Sequence, residues 1–377
     1  MEYLLTDFQK EMQKFAADWA KKELAPVVTE CDRKGEFPME VFKKYYDAGF
    51  TTMGLPEKFG GQGLSALDMV LINEEIAKID AGFMVSAGCS ELAFLPIMNG
   101  GTDEQIQFYL DFVLNGGIAS FGLTEPDAGS DAAACRTTAV RDGDDYILNG
   151  RKCFITSAGL ADVFTIFATV DKSKGVKGLT CFMVERDRPG VSIGKEEDKM
   201  GLRLSNTADV VLEDVRVPAS HRVGPEGKGF NLAMMTLDHT RGTGSAGALG
   251  IAQRALDESV AYAKTRKTFG KPIIANQGIS FMLADMEIQI QAARALLWHC
   301  ARMIDCGVTD TKLGSCTKVF VSDTTMKVTT DAVQVLGGYG YSREYPVEKL
   351  MRDAKIWQIF EGTNQIQRMV IGGTLAR

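Results

Sequence analysis

The sequence predicts an α+β chain, mainly helical, built as three successive domains. Three observations carry this. A length of 377 residues exceeds what one ordinary core organises and fits two or three domains. Apolar residues recur at helical spacing over residues 1–120 and again over 226–377, whereas between 121 and 225 the period switches to two. The last third also holds long helical segments with few breaks, which is how helices packed as a bundle read.

In the first domain, LTDFQKEMQKFAADWAKKELAPV places Phe8, Met12, Phe15, Ala16 and Trp19 on one helix face. Thr6-Asp7 caps its start, and Pro26 lies beyond its end. PMEVFKKYYDAGF and ALDMVLINEEIAKID are further amphipathic helices, with the Gly-rich loop PEKFGGQGLS between them. DEQIQFYLDFVLNGG closes the domain, Gly116-Gly117 serving as a helix stop. In the middle domain, DDYILNGRKCFITS reads as two strands around an Asn149-Gly150 hairpin turn. VFTIFATV, GLTCFMVE and ADVVLEDVRVP continue as strands. The last domain carries the helices IAQRALDESVAYAKTRKTFG, ISFMLADMEIQIQAARALLWHCARMIDCG and CTKVFVSDTTMKVTTDAVQVLGG.

Composition narrows the function. A net charge of −7 argues against nonspecific nucleic-acid binding. No run of 18 apolar residues is seen, so no membrane span is expected. The N-terminal MEYLLTDFQKEMQKF lacks the basic and apolar regions of a signal peptide, and its acidic residues argue against a transit peptide. A cytoplasmic protein is expected, or a mitochondrial-matrix one if a transit peptide was removed. Eight cysteines without a C-x-x-C pair read as reduced, mostly buried thiols. The three histidines, His221, His239 and His299, have no ligand partner at i+3 or i+4, so no metal site is expected.

Within DHTRGTGSAGALG, Gly242, Gly244 and Gly247 spell G-x-G-x-x-G. A dinucleotide loop needs a buried strand before these glycines and alternating strands and helices around them. The preceding GFNLAMMTLDHTR instead has helical apolar spacing (Phe230, Ala233, Met234, Leu237). NAD binding is therefore not expected here; small residues on a helix allow another helix or a ligand to come close.

Two segments stand out as chemistry. SFGLTEPDAGSDAAACRTTA (120–139) offers hydroxyls and turn formers to a polar ligand, although on the residues alone an ordinary capped loop is the readier reading. In MRDAKIWQIFEGTNQIQRM (351–369), Glu361 adjoins Gly362 and is flanked by Trp357, Ile359 and Phe360. A carboxylate in apolar company has its charged form disfavoured, which raises its pKa toward the range of a general base. On the residues alone, a solvent-exposed Glu on a loop fits as well.

Together these segments resemble the acyl-CoA dehydrogenase family of short- and medium-chain type. The likeness runs through LTEPDAGSD, LNGRKCFITS, EDKMGLRLS, VRVPASHRVGPEGKGF, RKTFGKPI, QVLGGYGY and EYPVEKLMRDAKIWQIFEGTNQIQ, in that order and over essentially the whole chain. It implies an N-terminal helical domain, a middle β domain and a C-terminal four-helix bundle, a homotetramer, and FAD as cofactor. It implies α,β-dehydrogenation of a saturated acyl-CoA to the 2-enoyl-CoA. Glu361 takes the α-proton, a hydride passes to flavin N5, and the electrons go on to an electron-transferring flavoprotein. By the same resemblance Leu123, Thr124, Phe154 and Thr156 surround the isoalloxazine. Arg266, Thr268, Phe269, Gln277, Gln334, Gly337 and Gly338 hold the adenine and diphosphate half across a subunit interface, with Thr363 and Gln365 as further FAD contacts. Ser130, Asp238 and Arg241 hold the CoA thioester, and Gly362 follows the base at the substrate site.

Two departures bear on the substrate. GTGSAG after Arg241 is unusually small, and Glu91 falls on a segment, SAGCSELAFLPI, that lines the acyl pocket in the family. A lone carboxylate there is costly to bury. It is either a second polar group acting on an unusual acyl chain, such as the alicyclic ring of cyclohexanecarboxyl-CoA, or it points to solvent or pairs with a Lys. Three other readings accompany the resemblance: an enoyl-CoA reductase running the reverse reaction, an acyl-CoA oxidase, and a catalytically inert binding subunit.

Overall fold

The computed structural model describes residues 4–376; residues 1–3 and 377, the outer ends of the two helical domains and the start of the segment read for a leader, lie outside the described residues. Seven helices form the first domain: α1 (Asp7–Trp19), α2 (Ala25–Lys34), α3 (Met39–Asp47), α4 (Ala66–Ile79), α5 (Ala81–Ala87), α6 (Cys89–Gly100) and α7 (Asp103–Leu114). Thr6 caps α1 as expected, its hydroxyl accepting from the Gln9 amide while Gln9 returns a bond to the Thr6 N–H. The helix does not stop before Pro26. A wide i→i+5 turn at Ala20–Leu24 links α1 to α2, placing Pro26 in the first turn of α2. There a missing N–H costs little, so the chain stays helical to Gly35, which ends it in left-handed backbone.

The expected apolar stripe of α1 is also wider than the core it meets. Ala16 and Trp19 are buried against α4 and the Tyr45–Phe50–Phe83 rings, but Phe8 and Phe15 stay exposed. No membrane span is expected, and although residues 81–100 are apolar and long enough by composition alone, they do not read as one. They form two helices broken at Gly88, and two-thirds of the apolar window is buried inside the protein.

The middle domain is an eight-stranded sheet: β1 (Ala119–Gly122), β2 (Thr138–Asp142), β3 (Asp145–Thr156), β4 (Val163–Thr169), β5 (Leu179–Glu185), β6 (Val191–Glu196), β7 (Thr207–Pro218) and β8 (Arg222–Val223). Its order is β6-β7-β3-β2-β4-β5-β8, with β1 parallel to β4. The hairpin turn is not at Asn149-Gly150. It falls at Gly143-Asp144, where Asp142 pairs with Asp145 and Gly143 adopts φ of 62°. Asn149 and Gly150 lie inside the continuous strand β3, opposite an irregularity in β7. Asn149 makes two side-chain bonds of 2.9 Å to Asp214, one to its carboxylate and one from its N–H. The Asn-Gly pair thus serves a bulge, because its partner strand lies some sixty residues away and outcompetes the local turn.

The third domain packs α8 (Gly229–Thr243), α9 (Ala246–Thr265), α10 (Gln277–Asp305) and α11 (Thr311–Leu336) as a four-helix bundle. A small hairpin, β9 (Lys267–Thr268) and β10 (Lys271–Pro272), leaves it, and α12 (Val347–Ala354) and α13 (Asn364–Leu375) pack on α11. The three domains meet at one buried cation. Lys349 of α12 bonds Asp80, which caps α5, at 2.6 Å and Asp353, whose other oxygen accepts the Leu202 N–H of the β domain at 2.7 Å.

Candidate active site

Glu361 sits on the turn entering α13 with φ of 57°, followed by Gly362 at 85°. Left-handed backbone at a non-glycine residue costs roughly 1–3 kcal/mol and persists only where its surroundings hold it. Here they do. Lys318, buried on α11, donates to the Gly362 carbonyl and the Asn364 side chain, both at 2.8 Å. Gln367 donates to the Glu361 and Gly362 carbonyls at 3.0 and 3.1 Å, and Arg241 Nε reaches the Glu361 carbonyl at 3.4 Å.

The Glu361 carboxylate accepts a bond of 3.0 Å from the Thr240 hydroxyl. It lines one cleft of ≈ 360 Å³ with Trp357 and Phe360 beside it and Met84, Thr156 and Glu91 on other walls. A side chain at Gly247 would collide with Met84 and Trp357, so the small-residue run after Arg241 lets the bundle close on this cleft. Burial raises the Glu361 carboxyl above the ordinary range, against the Thr240 bond and the charges of Arg241 and Lys318. Burial also lowers the Lys318 ammonium to about 8, although Glu361 and Asp323 oppose it.

Lys318 therefore both holds the turn and moderates the basicity of Glu361. Lys318→Met is expected to raise the Glu361 carboxyl further and move the acid limb of kcat/KM to higher pH, whereas Lys318→Arg retains it. A pH profile with the limb unmoved in Lys318→Met would show that the charge plays no such part.

Strand β3 contributes Thr156 to the cleft. Between Lys152 and Ile155 the strand bulges, turning Phe154 outward with φ of 56° and 65% exposure while Lys152, Cys153 and Ile155 stay inside. The Lys152 ammonium, fully buried, bonds Glu125 at 2.6 Å and the Leu123 carbonyl at 3.2 Å, and the Cys153 N–H bonds the Thr124 carbonyl at 2.9 Å. The loop 123–125 is thereby clamped against the bulge. Leu123, Thr124, Phe154 and Thr156 are brought together, and Thr156 reaches the cleft of Glu361.

Other sequence candidates lie elsewhere. Arg241 is buried in the cleft wall, but Asp238 spends both oxygens on Arg241 (2.6 Å) and Thr311 (2.8 Å). Ser130 stands on an exposed loop. Arg266, Phe269, Gln277, Gln334, Gly337 and Gly338 are on the exposed surface, with Thr268 between Arg266 and Phe269 in the hairpin. Arg266 lies over the Tyr339 ring, which joins the hairpin to the 337–341 turn. Thr363 caps α13, and Gln365 is exposed. Gly242 and Gly244 fall at the α8–α9 junction, with no strand before them. Thr240 and Lys318 had no role assigned from sequence; a lysine inside the apolar run CTKVFVS was the available signal for Lys318.

Residues 6–117, 120–215 and 227–376 match the profiles of the acyl-CoA dehydrogenase N-terminal, middle and C-terminal domains. The chain belongs to the acyl-CoA dehydrogenase family. It is an FAD-dependent oxidoreductase acting on acyl-CoA. Among similar proteins is an acyl-CoA dehydrogenase, short-chain specific, of Megasphaera elsdenii, 47% identical over 383 residues and matched along 100% of both chains. The butyryl-CoA dehydrogenase structure from the same organism superposes with a TM-score of 0.97 at 47% identity, covering 100% of each chain. A chain in the structure of the electron transferring flavoprotein of Acidaminococcus fermentans, a study of flavin-based electron bifurcation, gives 0.97 at 45% identity, also over 100% of each.

The dehydrogenase's own surface suits its cofactor. Phe154 gains nothing from exposure in strained backbone on its own account, and a planar ring system laid against it and the clamped Leu123-Thr124 loop would cover it.

Proposed function

We propose that this dehydrogenase oxidises short-chain acyl-CoA thioesters to their 2-enoyl-CoA products with Glu361 as the base. The observation that carries the reading is the strained, partly buried Glu361 carboxylate, raised in pKa, in a cleft that Thr156 of β3 also lines. The names of the relatives support a short straight chain over an alicyclic ring or a reverse reductase.

Leu123, Thr124, Phe154 and Thr156 would hold the isoalloxazine, with Thr363 and Gln365 beyond the base. Arg266, Thr268, Phe269, Gln277, Gln334, Gly337 and Gly338 would hold the adenine and diphosphate half in a homotetramer. Bound there, FAD supplies the two-electron acceptor for the β-C–H bond. Glu361 removes the α-proton, and its backbone N–H donates to the thioester oxygen where negative charge develops; one such donor is typically worth about 3–4 kcal/mol. Thr240 orients the carboxylate, while Met84, Trp357 and Phe360 exclude water from it. Arg241, Ser130 and Asp238 lie on the CoA side. Electrons leave to an electron-transferring flavoprotein, and the protein works in a bacterial cytoplasm.

Anaerobic titration with butyryl-, octanoyl-, branched, glutaryl- and cyclohexanecarboxyl-CoA tests this, read as flavin absorbance. Bleaching by butyryl-CoA at the lowest concentration is expected. Bleaching by the cyclic thioester alone, or by none, would overturn the short-chain reading.

A further inference from the structure

The dehydrogenation proposed above gives Glu91 no task. Glu91 stands in the first turn of α6 and lines the same cleft as Glu361. It is partly buried, and among the described residues no lysine pairs with it. Its Oε1 lies 3.6 Å from where a Cβ on Gly54 would stand, an ordinary contact distance, which places the carboxylate beside Gly54 and Met69. Tyr45, Phe50, Met53, Met69 and Ala87 line the same cleft. Burial alone acts on the Glu91 carboxyl and raises it to about 7, with no cation or hydrogen-bond donor working against the rise. Glu361 differs, since Thr240, Arg241 and Lys318 all oppose its burial.

Glu91 is not alone in lacking a partner. Tyr45, close enough that the Glu91 charge helps to raise its phenol, has a buried hydroxyl without one, and so has Thr51. Both residues border the cleft, with their hydroxyl oxygens sealed from it. Buried polar groups are normally satisfied, and a carboxylate that lines a cleft without a donor of its own is completed by water or by a ligand. An unsubstituted alkyl chain would complete none of it.

We propose that Glu91 forms an acceptor subsite for the distal part of the acyl chain, so that the preferred thioesters carry a hydroxyl group a few carbons from the reacting centre. This rests on the reading of the Glu361 cleft as the acyl site. A hydroxyl offers one hydrogen to the Glu91 carboxylate, the donor that the protein itself does not supply. A quaternary ammonium would match the Glu91 charge but has no hydrogen to donate to it.

The test compares kcat/KM for chain-matched pairs: butyryl- with 4-hydroxybutyryl-CoA, pentanoyl- with 5-hydroxypentanoyl-CoA, and hexanoyl- with 6-hydroxyhexanoyl-CoA. At the length that fits, the hydroxylated member is expected to win by on the order of tenfold to a hundredfold, as for a hydrogen bond to a charged group. Glu91→Leu should abolish that preference while improving turnover of the plain chain, and Glu91→Gln should keep part of it. Turnover of the plain chain shows that each variant is folded. Plain chains favoured at every length in the native enzyme, or a ratio unchanged in Glu91→Leu, would overturn the subsite and leave the dehydrogenase standing. A 4-(trimethylammonio)butyryl-CoA used better than the hydroxyl chain would also overturn it, in favour of charge pairing. No bleaching by any thioester would instead overturn the dehydrogenase reading, and this one with it.

Discussion

Glu361→Gln is expected to lower the rate of flavin bleaching by butyryl-CoA by about 10²–10⁴-fold, the usual worth of a positioned general base. The substitution is nearly isosteric. Thr240 can still donate to the side-chain oxygen, and the bonds from Lys318 and Gln367 reach backbone carbonyls that do not change. FAD and thioester affinity should therefore persist while the proton acceptor is lost. The pH dependence supplies a second readout. Because the Glu361 carboxyl lies above its ordinary value, the reactive carboxylate form grows in as pH rises through that displaced pKa. The acid limb of kcat/KM should then lie above the usual glutamate range, and vanish from the residual rate of Glu361→Gln. Stopped-flow bleaching within tenfold of the native rate would assign the base to another group.

Lys349→Met is expected to cost about 3–5 kcal/mol of stability, the range for breaking a buried ion pair by removing one partner. Asp80 is committed to the Phe83 N–H and Asp353 to the Leu202 N–H, so neither carboxylate can turn to water without uncapping α5 or releasing the β domain. Two facing carboxylates would remain without a cation. The Lys349 ammonium is held well above the ordinary lysine value, its two carboxylates outweighing burial. A raised folded pKa gives stability that is complete below the unfolded lysine pKa and is lost as pH climbs past it, so the penalty should be constant across neutral pH. Urea unfolding of the FAD-loaded protein measures it. A change under about 1 kcal/mol would mean that the carboxylates rehydrate in place.

The helices were legible because their apolar stripes are local and repeat within a few residues. The same holds for the turn at Glu361-Gly362, which Gly362 announces while the apolar neighbours announce the burial of the carboxylate. What sequence missed depended on distant partners. Asn149-Gly150 has every local feature of a turn, yet Asp214 makes it part of a strand. Pro26 breaks helices in general, but not one that widens just before it. Lys318 looks like any lysine on a long helix until α13 lays the Gly362 carbonyl on it. Glu91 was ambiguous because exposure and cleft lining leave the same local pattern, and only the fold separates them.

The irregularities in β3 and β7 bear on one another. From Tyr146 opposite Val217 to Leu148 opposite Val215 the strands run in step; at Gly150 opposite Leu212, β7 has gained one residue. At Ile155 opposite Ala208, β3 has gained one in return, and the original phase is restored. The two insertions are equal and opposite, so the mismatch is confined to the few residues between them. Remove either alone, and the error runs on to the strand end, turning Thr156 to the other face. The Asn149–Asp214 pair and the Phe154 bulge are thus one device inherited together: a local shift in phase, opened at one end of the strand and closed at the other, that presents an aromatic ring without disturbing the sheet on either side.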